Sequence, residues 1–200
     1  ILNNKNLYSG IISDVGNHEF WVARSYYESV SESQLIFSKS FGAMGSALGK
    51  AIGFAHETNK TVLCFVGDQG LMMNIQELHY IVRNRLPIKI FLMNNKSSGM
   101  IRSRQKDSSR KIVQTTIETG YSIPNFIKVA ESFGIQSYSF DGHNASFSEI
   151  KKIISKEGSV LIELITNEGF EGRPHLPIGN PPTQLSPCIP YRLQKSLEKL

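Results

Sequence analysis

Short apolar runs alternate with segments of helical periodicity along most of the chain, a pattern that predicts parallel strands joined by crossover helices. Thr61–Val66 (TVLCFV) is a continuous apolar run between Asn59-Lys60 and Gly67-Asp68, as expected of a strand covered on both faces. Ile88–Met93 (IKIFLM) is the following strand, entered through Pro87. Strands are also expected at Gly10–Ser13, Gln34–Ser38, Gln136–Phe140 and Val160–Ile165, and helices at Asn17–Glu28, Met44–Glu57, Asn74–Arg83, Pro124–Phe133 and Ser146–Ser155. Ile75, Leu78, Ile81 and Val82 give the third of these helices an apolar stripe. Pro124 suits a first helical turn, and Ser146-Phe147-Ser148-Glu149 reads as a capping box.

Two stretches lack this periodicity. Lys96–Tyr121 is rich in Ser, Thr, Lys and Arg and reads as a long loop, a length that signals function or mobility in compact domains. Beyond residue 166 fall six of the eight prolines, which predicts an extended arm over 167–200, closing in a short helix at Leu193–Leu200. Residues 1–166 then form one doubly wound α/β domain, a parallel sheet with helices on both faces.

Composition narrows the function. At 200 residues, 40% hydrophobic and 20% charged, the chain is globular in type and long enough to bury roughly 70% of its unfolded surface. A net charge of +5 is modest for a nucleic-acid binder. The basic cluster Arg102, Arg104, Lys106, Arg110 and Lys111 lacks interleaved aromatics and is interrupted by Asp107, so no nucleic-acid partner is expected. It reads either as a solvated loop or as cations that attract a carboxylate-bearing substrate. Phe41–Ala55, broken by Ser46 and Lys50, falls short of the ~20 residues that cross a bilayer, and no membrane span is expected. Gly45, Gly49 and Gly53 let another helix approach closely, while Gly49-Lys50-Ala51 fails as a nucleotide P-loop because Ala51 replaces Ser or Thr. Cys64 and Cys188 are too far apart in sequence for a metal knuckle or a disulfide framework, so a reducing, cytoplasmic compartment is expected. The start at Ile1 suggests a piece of a longer polypeptide.

The chemistry collects where strands end. In an open parallel sheet, ligands bind beyond the carboxyl ends of the strands. Asp68 follows one strand and Asn94-Asn95 the next, with a single crossover helix between them. If those strands are neighbours, Asp68 and Asn95 bring side-chain oxygens into one volume, a site for a hard cation such as magnesium that bridges to a phosphorylated ligand. Taken alone, Asp68 would be read as a turn residue or helix cap.

Gly67-Asp68-Gln69-Gly70, Asn74-Ile75-Gln76-Glu77-Leu78, Leu86-Pro87-Ile88-Lys89-Ile90, Asn94-Asn95 and Gly99-Met100-Ile101-Arg102 together resemble the thiamine-diphosphate signature, and more narrowly the C-terminal, diphosphate-binding domain of the acetolactate synthase family. The resemblance implies the thiamine-diphosphate-binding fold, with Asp68, the Asn95 side chain and the Ser97 carbonyl holding Mg2+. It implies that Gly67, Gln69, Gly70, Gly99 and Met100 also border the cofactor. Val15-Gly16-Asn17-His18-Glu19 resembles the segment whose amide and imidazole contact the diphosphate, giving Asn17 and His18 that role. Phe41-Gly42-Ala43-Met44-Gly45 resembles the segment that grips the aminopyrimidine: Gly42 through its carbonyl, Ala43 beside it, and Met44 through its backbone and as a catalytic wedge that bends the cofactor. The implied activity is decarboxylation and carboligation of 2-keto acids, completed by a pyrimidine-binding domain on a longer chain or partner subunit, in a homo-oligomer such as a dimer.

Two departures bear on this reading. Gln69 stands at the motif's second glycine, where a positive φ would penalise a side chain. Arg104 stands where acetolactate synthases place a bulky aromatic, which points to an anionic acceptor. A 2-keto acid decarboxylase of the sulfopyruvate or phosphonopyruvate type, and a cofactor-free interaction module of the same fold, are the rival readings.

Overall fold

The computed structural model describes residues 7–27, 29, 33–38, 41–108, 110–142 and 144–167, with Gly179, Pro190, Arg192 and Lys195. The expected arm over 167–200 and the helix at Leu193–Leu200 lie almost wholly outside the described residues.

Strands β1 (Gly10–Ser13), β2 (Gln34–Phe37), β3 (Val62–Gly67), β4 (Ile88–Asn94), β5 (Gln136–Asp141) and β6 (Val160–Ile165) form one sheet in the order β2-β1-β3-β4-β6-β5. Every pairing is parallel. The helices are α1 (Asn17–Tyr27), α2 (Ser46–Thr58), α3 (Asp68–Met73), α4 (Glu77–Arg83), α5 (Gly99–Asp107), α6 (Phe126–Ser132) and α7 (Phe147–Ile154).

Winding direction decides which face each helix covers, because parallel crossovers are right-handed. The steps β1→β2 and β5→β6 run one way along the sheet, and their helices α1 and α7 share a face: Val22, Ile150, Ile153 and Ile154 pack with Ile11, Leu63, Phe91 and Ile162. The steps β2→β3, β3→β4 and β4→β5 run the other way. Their helices α2, α3, α4 and α6 cover the second face, where Leu48, Leu71, Leu78 and Phe126 pack on Ile12, Cys64, Ile90 and Leu161. Alternate residues of β3 and β4 therefore enter different cores, which explains why both strands are apolar on both faces apart from Lys89 and the terminal Asn94. Phe65 and Phe91 stack across this pair with ring centroids 4.8 Å apart.

All six expected strands are present, and the helix boundaries shift by a few residues. Four expectations need correction. The single crossover helix expected between Thr61–Val66 and Ile88–Met93 is two, α3 and α4. Pro124 precedes the α6 N-cap Asn125, whose side chain accepts the Lys128 N–H at 3.0 Å, and so lies before the first helical turn. The Lys96–Tyr121 segment is not a bare loop: it contains α5 and a 3-10 turn at Ile117–Thr119. Helix α5 buries only Gly99 and Arg102, so it has no apolar stripe to announce it. The Ser146 capping box does not form either; the Ser146 side chain makes no cap and meets Ser148 Oγ at 2.9 Å.

Lys89 is the one charged residue on β4, and it is 1% exposed. Its Nζ donates to the carbonyls of Lys156 (2.5 Å) and Gly158 (2.6 Å) just beyond α7, where the helix dipole favours a cation. Burial nevertheless lowers its pKa from 10.5 to about 8. A lysine depressed in the folded state leaves the unfolded chain binding more protons between those values, so stability rises with pH from about 8 to 10.5, by about 3 kcal/mol at most. Denaturant titrations across this range should show the rise in the parent and its loss in Lys89→Met.

Candidate cofactor and metal site

The winding reverses at β1, whose neighbours β2 and β3 are reached in opposite directions, so the loops after β1 and β3 part and leave a crevice at the carboxyl edge. Asp14, the first residue after β1, braces that crevice. Its backbone N–H donates to Phe65 O at 2.8 Å, fixing the exit of β1 beside β3. Its fully buried carboxylate accepts the Gly45 N–H at 2.6 Å on Oδ2 and the Ser46 hydroxyl at 3.4 Å on Oδ1. It thereby caps α2, whose own N-cap Gly45, at φ 79°, has no side chain to do so. Burial raises the Asp14 pKa, and the amides of Gly45, Ala47 and Val15 draw it back. Helix α3 packs directly on this carboxylate: a Cβ at Gly70 would stand 2.3 Å from Asp14 Oδ2. Sequence reasoning gave Asp14 no role, although an acid directly after a strand was visible.

Four residues on, His18 is buried in the first turn of α1, where Gly16 makes room for its ring; a Cβ there would lie 2.6 Å from His18 Cε1. The imidazole donates to the Asp14 carbonyl, while Nε2 is buried with no partner. Burial lowers the His18 pKa to about 4, so the ring is neutral at neutral pH.

Asp68 opens α3 at the end of β3. Oδ1 accepts the Gln69 N–H at 2.8 Å, and Oδ2 is buried without a partner. Burial raises its pKa to about 6, against the lowering effect of the Gln69 amide, the Tyr121 hydroxyl and the Ser97 and Lys96 amides. Tyr121, at the far end of the presumed loop, is thus brought back against this acid. Its own pKa is raised by burial and by the Asp68 charge. Gln69 lies in the first turn of α3 and is not among the positive-φ residues, and its Oε1 accepts the Ser98 hydroxyl at 3.0 Å. The backbone objection to a side chain at the second glycine therefore does not arise.

After β4 the chain turns through Lys96 at φ 52°. Asn94 Oδ1 accepts the Lys96 N–H at 3.1 Å, and Asn95 Oδ1 accepts the Ser97 N–H at 3.2 Å. The Ser97 hydroxyl and the Ser98 N–H both donate to Thr115 O, at 2.6 and 3.0 Å, so the returning segment holds this turn in place. The Ser97 carbonyl accepts the Gly99 N–H at 2.9 Å and retains a second lone pair. At Gly99 a Cβ would lie 2.8 Å from Asn17 Nδ2 and 2.9 Å from Asn95 Nδ2, so the amides from the β1 and β4 loops meet at the start of α5.

Asn17, His18, Gly42, Met44, Gly67, Asp68, Gln69, Gly70, Asn95, Ser97, Gly99 and Met100 all line one cleft that opens to solvent. Ala43 is exposed and is not among its lining residues. Arg104 is exposed on α5 and also lies outside the lining, which takes Met100 and Ile101 from that helix instead. Sequence reasoning missed Trp21, Met93, Ser98 and Thr166, which also form the wall. Thr166, just past β6, presents a buried Oγ1 with no partner. Its position one residue beyond a strand end was the available signal.

Among the described residues no group of three or more His, Cys, Asp and Glu could form an all-protein metal cage. One carboxylate with an amide and a carbonyl oxygen suits a hard cation that takes its remaining oxygens from a ligand, and the partnerless Asp68 Oδ2 is the atom such a cation would satisfy.

Residues 14–164 match the family described as thiamine pyrophosphate enzyme, C-terminal TPP binding domain. The chain is 35% identical over 171 residues to the acetolactate synthase large subunit of Lactococcus lactis, covering 84% of this chain and 29% of that protein. It is 32% identical over 176 residues to the acetolactate synthase isozyme 1 large subunit of Escherichia coli, covering 88% and 31% respectively. With the acetolactate synthase large subunit of Buchnera aphidicola it shares 40% over 160 residues, covering 78% and 26%. The chain thus spans less than a third of the length of these relatives. It belongs to the thiamine pyrophosphate enzymes and carries their C-terminal TPP-binding domain.

Proposed function

We propose that the cleft binds thiamine diphosphate through Mg2+ and forms the diphosphate-binding half of an enzyme that decarboxylates and joins 2-keto acids in the manner of acetolactate synthase. What carries the reading is the convergence of three buried, partnerless polar atoms, His18 Nε2, Asp68 Oδ2 and Thr166 Oγ1, on one cleft at the point where the sheet reverses its winding.

Asp68, Asn95 Oδ1 and the Ser97 carbonyl hold the metal, with Asn95 exchanging its bond to the Ser97 amide for the cation. Asn17 donates its amide to the diphosphate. His18 binds the same group by taking up a proton at Nε2, because a nearby anion opposes the burial that keeps the free ring neutral. Gly42 and Met44 grip the aminopyrimidine from the opposite wall, and the Met44 side chain enforces the bend. Thiamine diphosphate, when bound, supplies the nucleophilic carbon and the electron sink. The protein contributes position and charge and, through Met100 and Ile101 on α5, an apolar rim that excludes water. The remaining parts are a pyrimidine-binding domain, in the same chain or a partner subunit, and a homo-oligomeric assembly that brings the two domains together.

Calorimetric titration of the complete enzyme with Mg2+ and thiamine diphosphate should show binding that EDTA abolishes and that Asp68→Ala weakens at least 100-fold. Binding by Asp68→Ala equal to that of the parent would sink the assignment and favour a cofactor-free module. With pyruvate, the loaded enzyme should release acetolactate; acetaldehyde alone would mark a simple decarboxylase.

The ligand-free site also has an electrostatic signature. His18, at about 4 when folded against 6.5 in its ordinary state, makes stability rise with pH across that window. Asp68, at about 6 against 3.8, makes stability fall with pH between those values, since here the folded state holds the extra proton. The two slopes oppose each other in the parent. Urea denaturation without cofactor should show Asp68→Asn gaining stability relative to the parent as pH rises from 4 to 6 and His18→Gln losing it relative to the parent from pH 4 to 6.5, the raised Asp14 carboxylate contributing alike to all three. Asp68→Asn should also be more stable than the parent at pH 7, by on the order of 1 to 3 kcal/mol, because it removes a buried charge.

A further inference from the structure

Glu163 is a carboxylate inside the sheet, 7% exposed on β6, with no part in the roles described above. Both of its oxygens are engaged by donors from the flanking strands: Ser139 Oγ of β5 donates to Oε2 at 2.7 Å, and Asn94 Nδ2 of β4 donates to Oε1 at 2.7 Å. Each oxygen thus serves as acceptor to one neighbouring strand.

The chain of bonds does not stop at Asn94. With its amide nitrogen committed to Glu163, the Asn94 side chain has its oxygen fixed in direction, and that oxygen accepts the Lys96 N–H at 3.1 Å. Lys96 sits at φ 52°, a left-handed geometry that is strained for a non-glycine residue and needs outside support. The Thr166 N–H donates to Asn94 O at 2.9 Å, so β6 holds Asn94 by main chain as well as by side chain. Beyond Lys96 lie the amides of Lys96 and Ser97, which face Asp68, and the Asn95 side chain and Ser97 carbonyl proposed as metal ligands.

We infer that Glu163 is a positioning residue for the metal site, acting through Asn94 to set the turn that presents Asn95 and Ser97. The inference rests on the magnesium role proposed above. Partners that orient ligands in this way are worth 10- to 100-fold in metal affinity. Glu163 touches neither metal nor cofactor. A merely structural acid would support the sheet equally through either of its bonds, whereas a positioning role makes only the bond to Asn94 matter for the metal.

The test uses Mn2+ as a spectroscopic substitute for Mg2+, titrated into the complete enzyme at saturating thiamine diphosphate and followed by electron paramagnetic resonance, with thermal midpoints recorded for each variant. Glu163→Ala should weaken Mn2+ binding about tenfold and alter the bound spectrum. Glu163→Gln should restore both, because its amide oxygen still accepts from Asn94 while its nitrogen donates to a rotated Ser139 hydroxyl. Ser139→Ala should lower the thermal midpoint and leave Mn2+ affinity at the parent value. Parent-like affinity in Glu163→Ala, or equal weakening in Ser139→Ala, overturns the inference. A parent enzyme that binds no Mn2+ with the cofactor overturns the proposed function itself, and the inference with it.

Discussion

The packing of β1, α2 and α3 around the crevice depends on the buried Asp14 carboxylate. The chain steps from β1 to β2 one way along the sheet and on to β3 the other way, which parts the neighbouring loops and leaves a crevice that needs a brace. One anion, taking the first amide of α2 and pressed by the glycine face of α3, holds three elements at fixed separations. It can do so because a helix start offers amides that have no other partner. His18 then hangs from the carbonyl of that same residue, so the brace and the imidazole move as one body.

The site is held ready at a cost to the fold. A buried acid and a buried imidazole each retain an atom without a hydrogen bond, a condition that ordinary cores avoid. The perturbations run in opposite senses, the acid upward and the imidazole downward, and both come first from loss of water. The proposed ligand, with a divalent cation at one end and phosphate oxygens beside it, would relieve both at once. The stabilisation missing from the free domain is thus available at the moment of binding.

How much of this was legible in the sequence depends on distance along the chain. The strands could be read because burial on both faces leaves no alternation to misread, and Thr61–Val66 and Ile88–Met93 are the plainest instances. The resemblance carried by Gly67-Asp68 and Asn94-Asn95 located the crevice, and its residues converge as neighbouring strand ends require. Helix α5 was invisible because a helix that rests on backbone and one buried arginine carries no apolar period. Tyr121, Thr166 and Glu163 were missed for a related reason. Each acquires its place from a contact tens of residues away, through a returning loop or a neighbouring strand, and nothing local to it records the partner.

At the opposite rim, the Lys89 ammonium is sealed beneath the carbonyls that follow α7. An amine so enclosed meets acylating reagents only when that corner of the molecule lifts. Its rate of labelling under native conditions therefore serves as a clock for partial unfolding at the edge remote from the crevice.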